Sequence, residues 1–572
     1  MRHAVDPRQK LLFDPAESVF SPMAIKYMQQ GWPGLFRTQL LELMPVGKLA
    51  QKFHDRLGCP TKELYSMAGA LFLKELFNLT IEQAVCRYVT DLSWHYALNV
   101  DPATASMSHA TVERYTKLFV DNDLAAEIFD RVTTRLIESL ELDLSHQRLD
   151  STHIFSDMAT FNRTKLMGVA IRRFLTQLKR HHRNAYDALP EDLRGRYAPS
   201  QGHLFGQFKG DKTQLRQTVA EDLLLLVNRF ANDSNITSRT AYQAMERILH
   251  DQCEISEDKT AVTVKAKLAP NAMQNPSDAD AGYDGHKGSG YQVQIAETCS
   301  RSNPQQLITG VEAEPAHCKD QDALVPMVQQ LKTQERAPET LYADTHYGSD
   351  DNVQAAEAEG VDLQSPAGGN APKEGNLSLD DFVIDPEGET VQCCPAGHKP
   401  RSSVHNAESG RTTTVMESSD CCACPFRTQC PVKPCGDHFV LYHTPAKRRL
   451  ADRRAEQSTE AFEEHYSVRS GGESVNSGLK RRMGMGRLRT RGLPRVRMAV
   501  LLRCAGWNVL RALAVIKSRG KAACTASTGI FGGAIAGFWR GLDVLGAPLR
   551  PLGVPVGHFF VRWLPPSQST AA

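Results

Sequence analysis

Apolar residues recur every three to four positions through the first part of the chain, the spacing of amphipathic helices. The segments with this pattern are ELYSMAGALFLKELFNL, TIEQAVCRYVTDLSWHYAL and SHATVERYTKLFVDNDLAAEIFDRVTTRLIESL. Thr80, with Gln83 three residues later, fits a capping box, and Ser108 is placed to cap a further helix. We predict an all-α N-terminal domain over residues 1–140. A DNA-binding helix-turn-helix module and a helical dimerisation domain fit this pattern equally well.

Short alternating segments follow. HQRLDSTHIF, around Asp150, reads as a strand, and the next 100 residues, about 161–258, read as helical. Strand patterns return in TAVTVKAKL, GYQVQIAETCS, QLITGVEAEP, ETLYAD and VDLQSP, with the helical segments QDALVPMVQQLKTQ and THYGSDDNVQAAEAEG among the later ones. Strands that come to alternate with helices predict an α/β fold with a mixed sheet. We predict a ribonuclease-H-like core whose first part spans 141–365 and carries a helical insertion at about 161–258.

The last third of the chain divides by composition. Residues 366–445 are rich in Gly, Pro and Cys and read as an irregular insertion, 446–518 read as the last helices of the core, and 519–572 read as a weakly ordered tail. Seven of the 14 cysteines lie between Cys393 and Cys435. The candidate tetrahedral Zn²⁺ ligands in this region are Cys394, Cys421, Cys424 and Cys430.

Other assignments of the cysteine cluster stay open. Cys393, Cys422, Cys435 and His398 are alternative ligands, and a set of reduced cysteines without metal is the simpler interpretation. A bound zinc ion would stabilise an insertion too irregular to build its own core.

Charge is informative only locally, because the formal net charge is +2. KRRMGMGRLRTRGLPRVR, from Lys480 to Arg497, contains eight Lys or Arg and no acid, and RRFLTQLKRHHR is a second basic stretch. Such clusters are typical of phosphate contacts.

The expected compartment is the cytoplasm. No secretory signal pattern is visible, and the apolar run MAVLLRCAGWNVLRALAVI is interrupted by Arg503, Asn508 and Arg511, which favours an amphipathic core helix over a membrane span. Cysteines in that compartment are expected to be reduced.

The stretch YSVRSGGESVNSGLK combines four chemically distinct side chains. On a continuous helix Tyr466, Arg469, Glu473 and Lys480 fall within roughly 60° of one face. The ordinary interpretation is a solvated face with an Arg469–Glu473 ion pair at i,i+4. The glycines at 471 and 472 each cost about 1 kcal/mol in a helix relative to Ala. They therefore indicate close approach of something to the backbone, which we expect to be DNA.

Three carboxylates are placed to converge. Asp150 lies on the first predicted strand, Asp344 ends a later one, and Glu473 lies on a helix that could pack back on the sheet. Oxygen ligands of this kind suit Mg²⁺, and a pair of such ions can carry out phosphodiester chemistry. The linear spacing alone has low specificity, since an Asp at a strand end is more often a cap or turn residue.

These residues resemble the DDE transposases of bacterial insertion sequences. The third sequence block of one group in that family reads Y-x2-R-x3-E-x6-K, and Tyr466, Arg469, Glu473 and Lys480 match it at every spacing. LDST with Asp150 resembles the first block. YADTHYGS with Asp344 resembles the second, although His346 stands where glycine is common. The resemblance covers about residues 30–515.

The resemblance implies two Mg²⁺ (or Mn²⁺) ions held by Asp150, Asp344 and Glu473. It implies that DNA near the cleaved end is held by Tyr466, Arg469 and Lys480, with Arg481 and Arg482 extending the contact. Water would cleave at the ends of the element, and the freed 3′-OH would attack target DNA. The expected partners are double-stranded DNA (terminal inverted repeats and target) and a second copy of the chain in a synaptic complex. No membrane is expected, and the location is the nucleoid of a bacterial cytoplasm.

Two other functions stay open. One is a transposase-derived DNA-binding protein that is no longer catalytic, and the other is a ribonuclease-H-like nuclease without strand transfer. Lys287, in YDGHKGSGYQ, is either an extra DNA contact or a solvated hairpin lysine.

Overall fold

The computed structural model describes residues 1–9, 14, 19–198, 204–205, 210–368, 375–385 and 389–540, with side chains described as far as residue 519. The chain forms two compact units, Met1–Val515 and Ile516–Ala572. All residues of the candidate site belong to the first unit. Of the predicted tail, residues up to Arg540 continue a helix, and 541–572 lie outside the described residues.

The N-terminal region is helical as predicted, and its caps explain where the helices start. Thr80 and Gln83 form the predicted capping box, and the Ser108 side chain accepts a hydrogen bond from the backbone of Thr111. The buried faces join one hydrophobic cluster with the sheet and the later helices. The helices are Pro22–Gln29, Trp32–Leu35, Val46–Ala50, Leu64–Leu76, Ile81–Thr90, Leu92–Leu98, His109–Asp121 and Leu124–Leu140, with a π-helical turn at Phe36–Leu40 and a 3-10 turn at Leu41–Leu43.

A six-stranded mixed sheet forms the centre of the first unit. The strands as far as residue 364 are β1 (His146–Ile154), β2 (Cys253–Ile255), β3 (Val262–Val264), β4 (Gly282–Asp284), β5 (Gly288–Thr298), β6 (Ile308–Pro315), β7 (Thr340–Tyr342) and β8 (Asp362–Gln364). The sheet order is β4-β5-β1-β7-β8, with β6 also on β5. β1 is antiparallel to β5 and parallel to β7, and β7 is parallel to β8. The predicted mixed sheet is thus confirmed.

Both faces of this sheet are covered. Leu149 of β1 belongs to a cluster with Leu324 and Leu331 of the helix Asp320–Thr333, and the helix Asp350–Ala358 contributes to the same cluster. Side chains of β5 and β6 on the other face belong to the large cluster that includes the N-terminal helices. Burial on both faces fixes the register of β1, because a slip of one residue would exchange its two sets of side chains.

One predicted strand lies elsewhere. TAVTVKAKL provides only β3, which pairs with β2 in a separate two-stranded ribbon. The ribbon packs with the helical segment that follows β1, and this segment has a hydrophobic cluster of its own. Its helices are Arg163–His181, Arg183–Asp187, Glu191–Tyr197, Lys212–Phe230, Ser234–Thr237 and Thr240–Gln252.

The Cys-rich region is more regular than the sequence suggested. It contains β9 (Val383–Ile384), β10 (Val391–Cys393), β11 (Ser402–Asn406), β12 (Arg411–Met416), β13 (Lys433–Cys435) and β14 (His438–His443), with a 3-10 turn at Leu379–Asp381 and a short helix at Ser418–Cys422. β9 and β10 form a pair, and the others form a sheet in the order β11-β12-β14-β13. Phe382, Met416, Phe439 and Leu441 form a small core with Cys421. The prediction of an irregular segment without a core is therefore wrong, because alternating residues such as those of β12 and β14 bury one face.

The chain then returns to the sheet through the helices Pro445–Gln457 and Glu460–Tyr466, a 3-10 turn at Ser467–Ser470, and the helices Gly471–Arg482 and Leu493–Arg540. We call Gly471–Arg482 the site helix and Leu493–Arg540 the last helix.

The polar residues of the last helix have buried partners. Arg503 Nε donates to Glu75 at 2.9 Å, and the Asn508 side chain bonds both the backbone N–H and the carbonyl of Ile308. Among the described residues, one stretch, Leu493–Arg519, is long and apolar enough to span a membrane, and 72% of its most apolar window is buried inside the protein. Burial of that extent is typical of a core helix.

Candidate active site

The first of the predicted carboxylates lies in the central part of the sheet. Asp150 occupies the middle of β1, opposite Ile295 of β5. Its side chain is only 16% exposed and accepts hydrogen bonds at 3.1 Å from Arg469 and at 3.1 Å from Asn476. The Asp150 carboxylate thus faces the site helix.

The second carboxylate is brought next to the first by the register of β1 and β7. Arg148 pairs with Tyr342 in this parallel ladder, so residues two positions further, Asp150 and Asp344, continue on the same face of neighbouring strands. Asp344 follows directly after β7, where its side chain accepts a hydrogen bond from the backbone of His346 at 2.9 Å. The aspartates, 194 positions apart in the sequence, therefore meet at the end of β7.

Arg469 joins all three predicted carboxylates. Its Nη2 lies 3.1 Å from Asp150 Oδ1 and 3.6 Å from Asp344 Oδ2, and its Nη1 lies 3.7 Å from Glu473 Oε1. The Glu473 side chain is 76% exposed, whereas Asp344 is 28% exposed. The structure thus gathers two buried aspartates and one exposed glutamate around a single guanidinium.

The predicted continuous helix through Tyr466 and Lys480 is interrupted. A 3-10 turn at Ser467–Ser470 separates the preceding helix from the site helix, so Tyr466 and Arg469 lie before the helix that carries Glu473 and Lys480. Tyr466 donates its hydroxyl hydrogen to the carbonyl of Ala343 at 2.9 Å. In this structure Tyr466 therefore supports the backbone immediately before Asp344.

The two glycines have neighbours within the chain, which corrects the expectation that they leave room for DNA. A Cβ on Gly471 would lie 2.0 Å from Nη1 of Arg148, and a Cβ on Gly472 would lie 3.4 Å from Asp150 Oδ2. Gly472 is buried. The absent side chain at 471 lets the site helix begin directly over the Arg148 guanidinium.

Arg148 is one of the residues that sequence reasoning missed. Its Nε donates to Glu297 of β5 at 2.9 Å, and its Nη1 donates to the carbonyl of Val468 at 2.7 Å. Arg511 of the last helix also donates to Glu297. This buried cluster ties β1, β5 and the turn before the site helix together. Its position two residues before Asp150 was the available signal, because side chains at i and i+2 of a strand share a face.

Asn476 was missed as well. It donates to Asp150 Oδ2 at 3.1 Å and approaches the Ser151 carbonyl. Its spacing of three residues from Glu473 would have placed the two side chains on one helix face.

The electrostatics of the site favour a bound cation. Burial raises the pKa of Asp150, the Arg469 guanidinium opposes that rise, and the Asp344 carboxylate adds to it. Burial also raises the pKa of Tyr466 to about 12, so its hydroxyl stays protonated as a hydrogen-bond donor. Two carboxylates in contact with one cation and little solvent are stabilised by positive charge.

No group of three or more His, Cys, Asp or Glu side chains within the described ranges is arranged to hold a metal ion as it stands. At the candidate active site, the Arg469 guanidinium lies between the carboxylates. The donor atoms are nevertheless the hard carboxylate oxygens that Mg²⁺ and Mn²⁺ prefer. The residues therefore fit a divalent cation chemically, provided that Arg469 moves.

The predicted DNA-binding cations divide into two sets. Lys480, Arg481 and Arg482 are exposed at the end of the site helix. Further along the same basic run the arginines contact the chain itself: Arg489 the carbonyl of Asn78, Arg491 Asp157, Arg495 Glu113, and Arg497 both Asp123 and Glu312. The expectation of eight uncompensated cations is therefore wrong for these four, which tie the end of the core together.

The four predicted zinc ligands are also brought together. Cys394, Cys421, Cys424 and Cys430 line one small cavity with His398, whereas Cys393, Cys422 and Cys435 are not among its lining residues. Cys394 starts a tight turn in which its N–H donates to the His398 carbonyl at 2.9 Å and its carbonyl accepts from Gly397 at 2.8 Å. Burial raises the pKa of Cys421 to about 11, and the neighbouring thiols add to the rise.

Comparison with known families and structures gives a limited result. Residues 393–513 match the family model described as a transposase DDE domain. This segment includes the Cys-rich sheet, Glu473 and the basic run, but neither Asp150 nor Asp344. A search of curated protein sequences finds no match.

One solved structure is similar, the piggyBac transposase synaptic complex with hairpin DNA studied by cryo-EM. The similarity has a TM-score of 0.31 and 9% sequence identity, and covers 88% of this chain and 77% of the other. A likeness at that level carries no argument about fold or function. The family match by itself supports a DDE transposase, and the mixed sheet with its many helices is consistent with the ribonuclease-H-like fold of such enzymes.

Proposed function

We propose that this protein is a transposase that cleaves the ends of an insertion sequence and joins the freed 3′-OH to target DNA. The single observation that carries the proposal is the meeting of Asp150, Asp344 and Glu473 at one guanidinium. An arrangement of three carboxylates beside exposed cations is suited to phosphoryl transfer on a nucleic acid. The family match in the segment that carries Glu473 supports the same reaction class.

In this proposal Asp150, Asp344 and Glu473 hold two Mg²⁺ or Mn²⁺ ions. Bound there, the ions would activate the attacking oxygen and stabilise the leaving one. Asp150 is held in the sheet and by Asn476, so it forms the rigid part of the set. Glu473, which is exposed and weakly tied to Arg469, is the carboxylate most free to adjust.

Arg469 has two roles in the proposal. Without metal it neutralises the carboxylates, which offsets the cost of burying Asp150. With metal and DNA bound, its contacts to the carboxylates open and the guanidinium turns to a phosphate, for which its planar fork is well suited. Lys480, Arg481 and Arg482 provide further phosphate contacts from the exposed end of the site helix.

Tyr466 acts mainly on Asp344 in this scheme, through the Ala343 carbonyl. Two copies of the chain, each with an inverted repeat, would form the synaptic complex. The proposed location, the nucleoid of a bacterial cytoplasm, follows from this substrate.

The test is cleavage by the purified full chain of a labelled DNA fragment carrying the inverted repeats that flank the coding region. With Mg²⁺, we expect nicks at the repeat ends and, with added target DNA, joined products. Glu473→Gln is expected to abolish both. Glu464→Gln is the matched control, because Glu464 is 75% exposed on the preceding helix and is not part of the site.

The two other functions predict different outcomes. A DNA-binding protein that has lost catalysis would bind the repeats without nicking them. A nuclease without strand transfer would nick but give no joined product. Glu473→Gln that cleaves as well as wild type would refute the assigned role of the carboxylates.

We also propose that the four cysteines of the small cavity bind one Zn²⁺ ion. Support comes from their shared cavity and from the tight turn at Cys394, a geometry that presents a sulfur and backbone N–H groups together. Metal analysis of the purified chain should find about one equivalent of zinc, and Cys421→Ser with Cys424→Ser should lose it. Cys59→Ser, at an exposed cysteine far along the sequence, is the control. Zinc-free protein with an intact Cys-rich sheet would contradict this assignment.

A further inference from the structure

β1 carries an unexplained polar group beyond Asp150. His153 is 8% exposed, and neither ring nitrogen has a hydrogen-bond partner. Buried polar atoms are nearly always paired, so an imidazole with two unpaired nitrogens needs a reason. A ligand that accepts a hydrogen bond from the ring would provide one.

The surroundings of His153 are cationic. Lys287, at the turn between β4 and β5, and Lys480, on the site helix, are both close enough to lower the pKa of His153, after the larger effect of burial; Asp284 and the backbone at Ser289 oppose them. Lys287 likewise contributes to a lowered pKa of Lys480, which Asp150 opposes. Neither lysine has an ion-pair partner within 4.0 Å in the described part of the chain. An anion bound between them would relieve this repulsion.

Space and an aromatic ring adjoin the imidazole. Gly290 has φ of 152°, and a Cβ there would lie 3.2 Å from His153 Nε2 and 2.5 Å from the Ile154 carbonyl oxygen. The Phe155 ring meets the His153 ring edge to face, with 4.8 Å between centroids, and Phe155 is 45% exposed. A large exposed aromatic side chain beside cations is typical of contacts to single-stranded nucleic acid.

We propose that His153, Lys287 and Lys480 bind one phosphate group of a DNA strand, with Phe155 against the adjoining nucleotide. The assignment rests on the proposed function, because it takes the strand whose cleaved phosphate lies at Asp150. Three residues of β-strand span about 10 Å. At about 3.4 Å of helix rise per nucleotide, the bound phosphate is two or three nucleotides from the cut. Neutral His153 donates one N–H to the phosphate, and the lysines neutralise its charge.

The test measures binding and not cleavage. The full-length chain carrying Glu473→Gln, in EDTA, is titrated with a fluorescent ten-residue oligothymidylate at several salt concentrations. Removing one phosphate contact from a single strand reduces the slope of log K against log salt by about 0.7. We expect that reduction, and weaker binding, for Lys287→Gln. Lys332→Gln is the matched control, since Lys332 is exposed and already paired with Glu359 at 2.7 Å.

His153→Phe supplies a second readout. It removes two unpaired nitrogens and keeps a planar ring, so thermal stability should be unchanged or higher while binding weakens. A slope for Lys287→Gln equal to that of Lys332→Gln, or absence of oligothymidylate binding by the parent chain, overturns the proposal. Salt slopes as expected in a chain that never nicks its repeats would retain the phosphate site and refute only the transposase function.

Discussion

Gly471→Ala is the perturbation that the structure constrains most closely. The new methyl carbon would lie 2.0 Å from Nη1 and 2.6 Å from Cζ of Arg148. The end of an arginine can usually swing aside, but this guanidinium is buried and donates to Glu297 at 2.9 Å and to the Val468 carbonyl at 2.7 Å. Overpacking a filled interior costs about 1–3 kcal/mol. Better helix propensity returns up to about 1 kcal/mol, so we expect a net loss of about 1–2 kcal/mol.

Gly472→Ala is the natural comparison. Its Cβ would lie 3.4 Å from Asp150 Oδ2, an ordinary contact. The same gain in helix propensity then applies with little to offset it, so this variant should match or exceed wild type by up to about 1 kcal/mol. Equilibrium urea unfolding of the metal-free full-length chain, followed by circular dichroism, measures both variants.

A double-mutant cycle isolates the contact. In an Arg148→Ala background the clash is absent, so Gly471→Ala should cost little, and the two changes should be strongly non-additive. Equal stability of the two glycine variants in the wild-type background would refute the reasoning. So would additivity in the cycle, because either result would mean that the Arg148 guanidinium moves freely.

Three further changes give distinct results. Tyr466→Phe loses the hydrogen bond that supports the backbone before the second aspartate, so cleavage should fall while affinity for DNA stays unchanged; a loss of affinity in a filter-binding assay would instead indicate direct contact with DNA. Burial raises the pKa of Glu75, but Lys74 and Arg503 outweigh that effect and the net pKa is lowered, so the pair stabilises the fold above the ordinary carboxyl pKa and the benefit is lost as pH falls. Glu75→Gln should therefore destabilise the chain by about 3–5 kcal/mol at neutral pH, as for other broken buried pairs, with a smaller difference below about pH 4; a difference independent of pH would contradict this. The raised pKa of Asp150 has the opposite sign: its contribution is greatest at acid pH and is lost as pH rises through its folded-state pKa, so metal-free Asp150→Asn should melt at or above the wild-type temperature at neutral pH, and a lower melting temperature would count against the burial argument.

Local patterns predicted the elements of the core well. The capping box at Thr80, the strand around Asp150 and the apolar segment that ends before Asp344 all follow from periodicity and from the residues that cap helices. The meeting of Asp150, Asp344 and Glu473 was predicted as well, although only the register of β1 with β7 explains the approach of the two aspartates.

Long-range contacts were beyond sequence reasoning. Nothing local in the sequence indicates that Arg148 faces Gly471, 323 positions later, or that Tyr466 donates to a carbonyl beside Asp344. A helical wheel assumes an unbroken helix, so the 3-10 turn at Ser467–Ser470 could not be seen from spacing. The paired arginines of the basic run are likewise a consequence of tertiary packing, since their acidic partners lie hundreds of residues away.

The central claim is that Asp150, Asp344 and Glu473 form one metal-dependent centre for DNA cleavage. Its most direct test is the nicking of inverted-repeat DNA by wild type, Glu473→Gln and Glu464→Gln in parallel, with and without Mg²⁺. We predict nicks at the repeat ends for wild type and Glu464→Gln only when Mg²⁺ is present, and none for Glu473→Gln. Nicking by Glu473→Gln at the wild-type rate, or nicking that persists in EDTA, would contradict the claim.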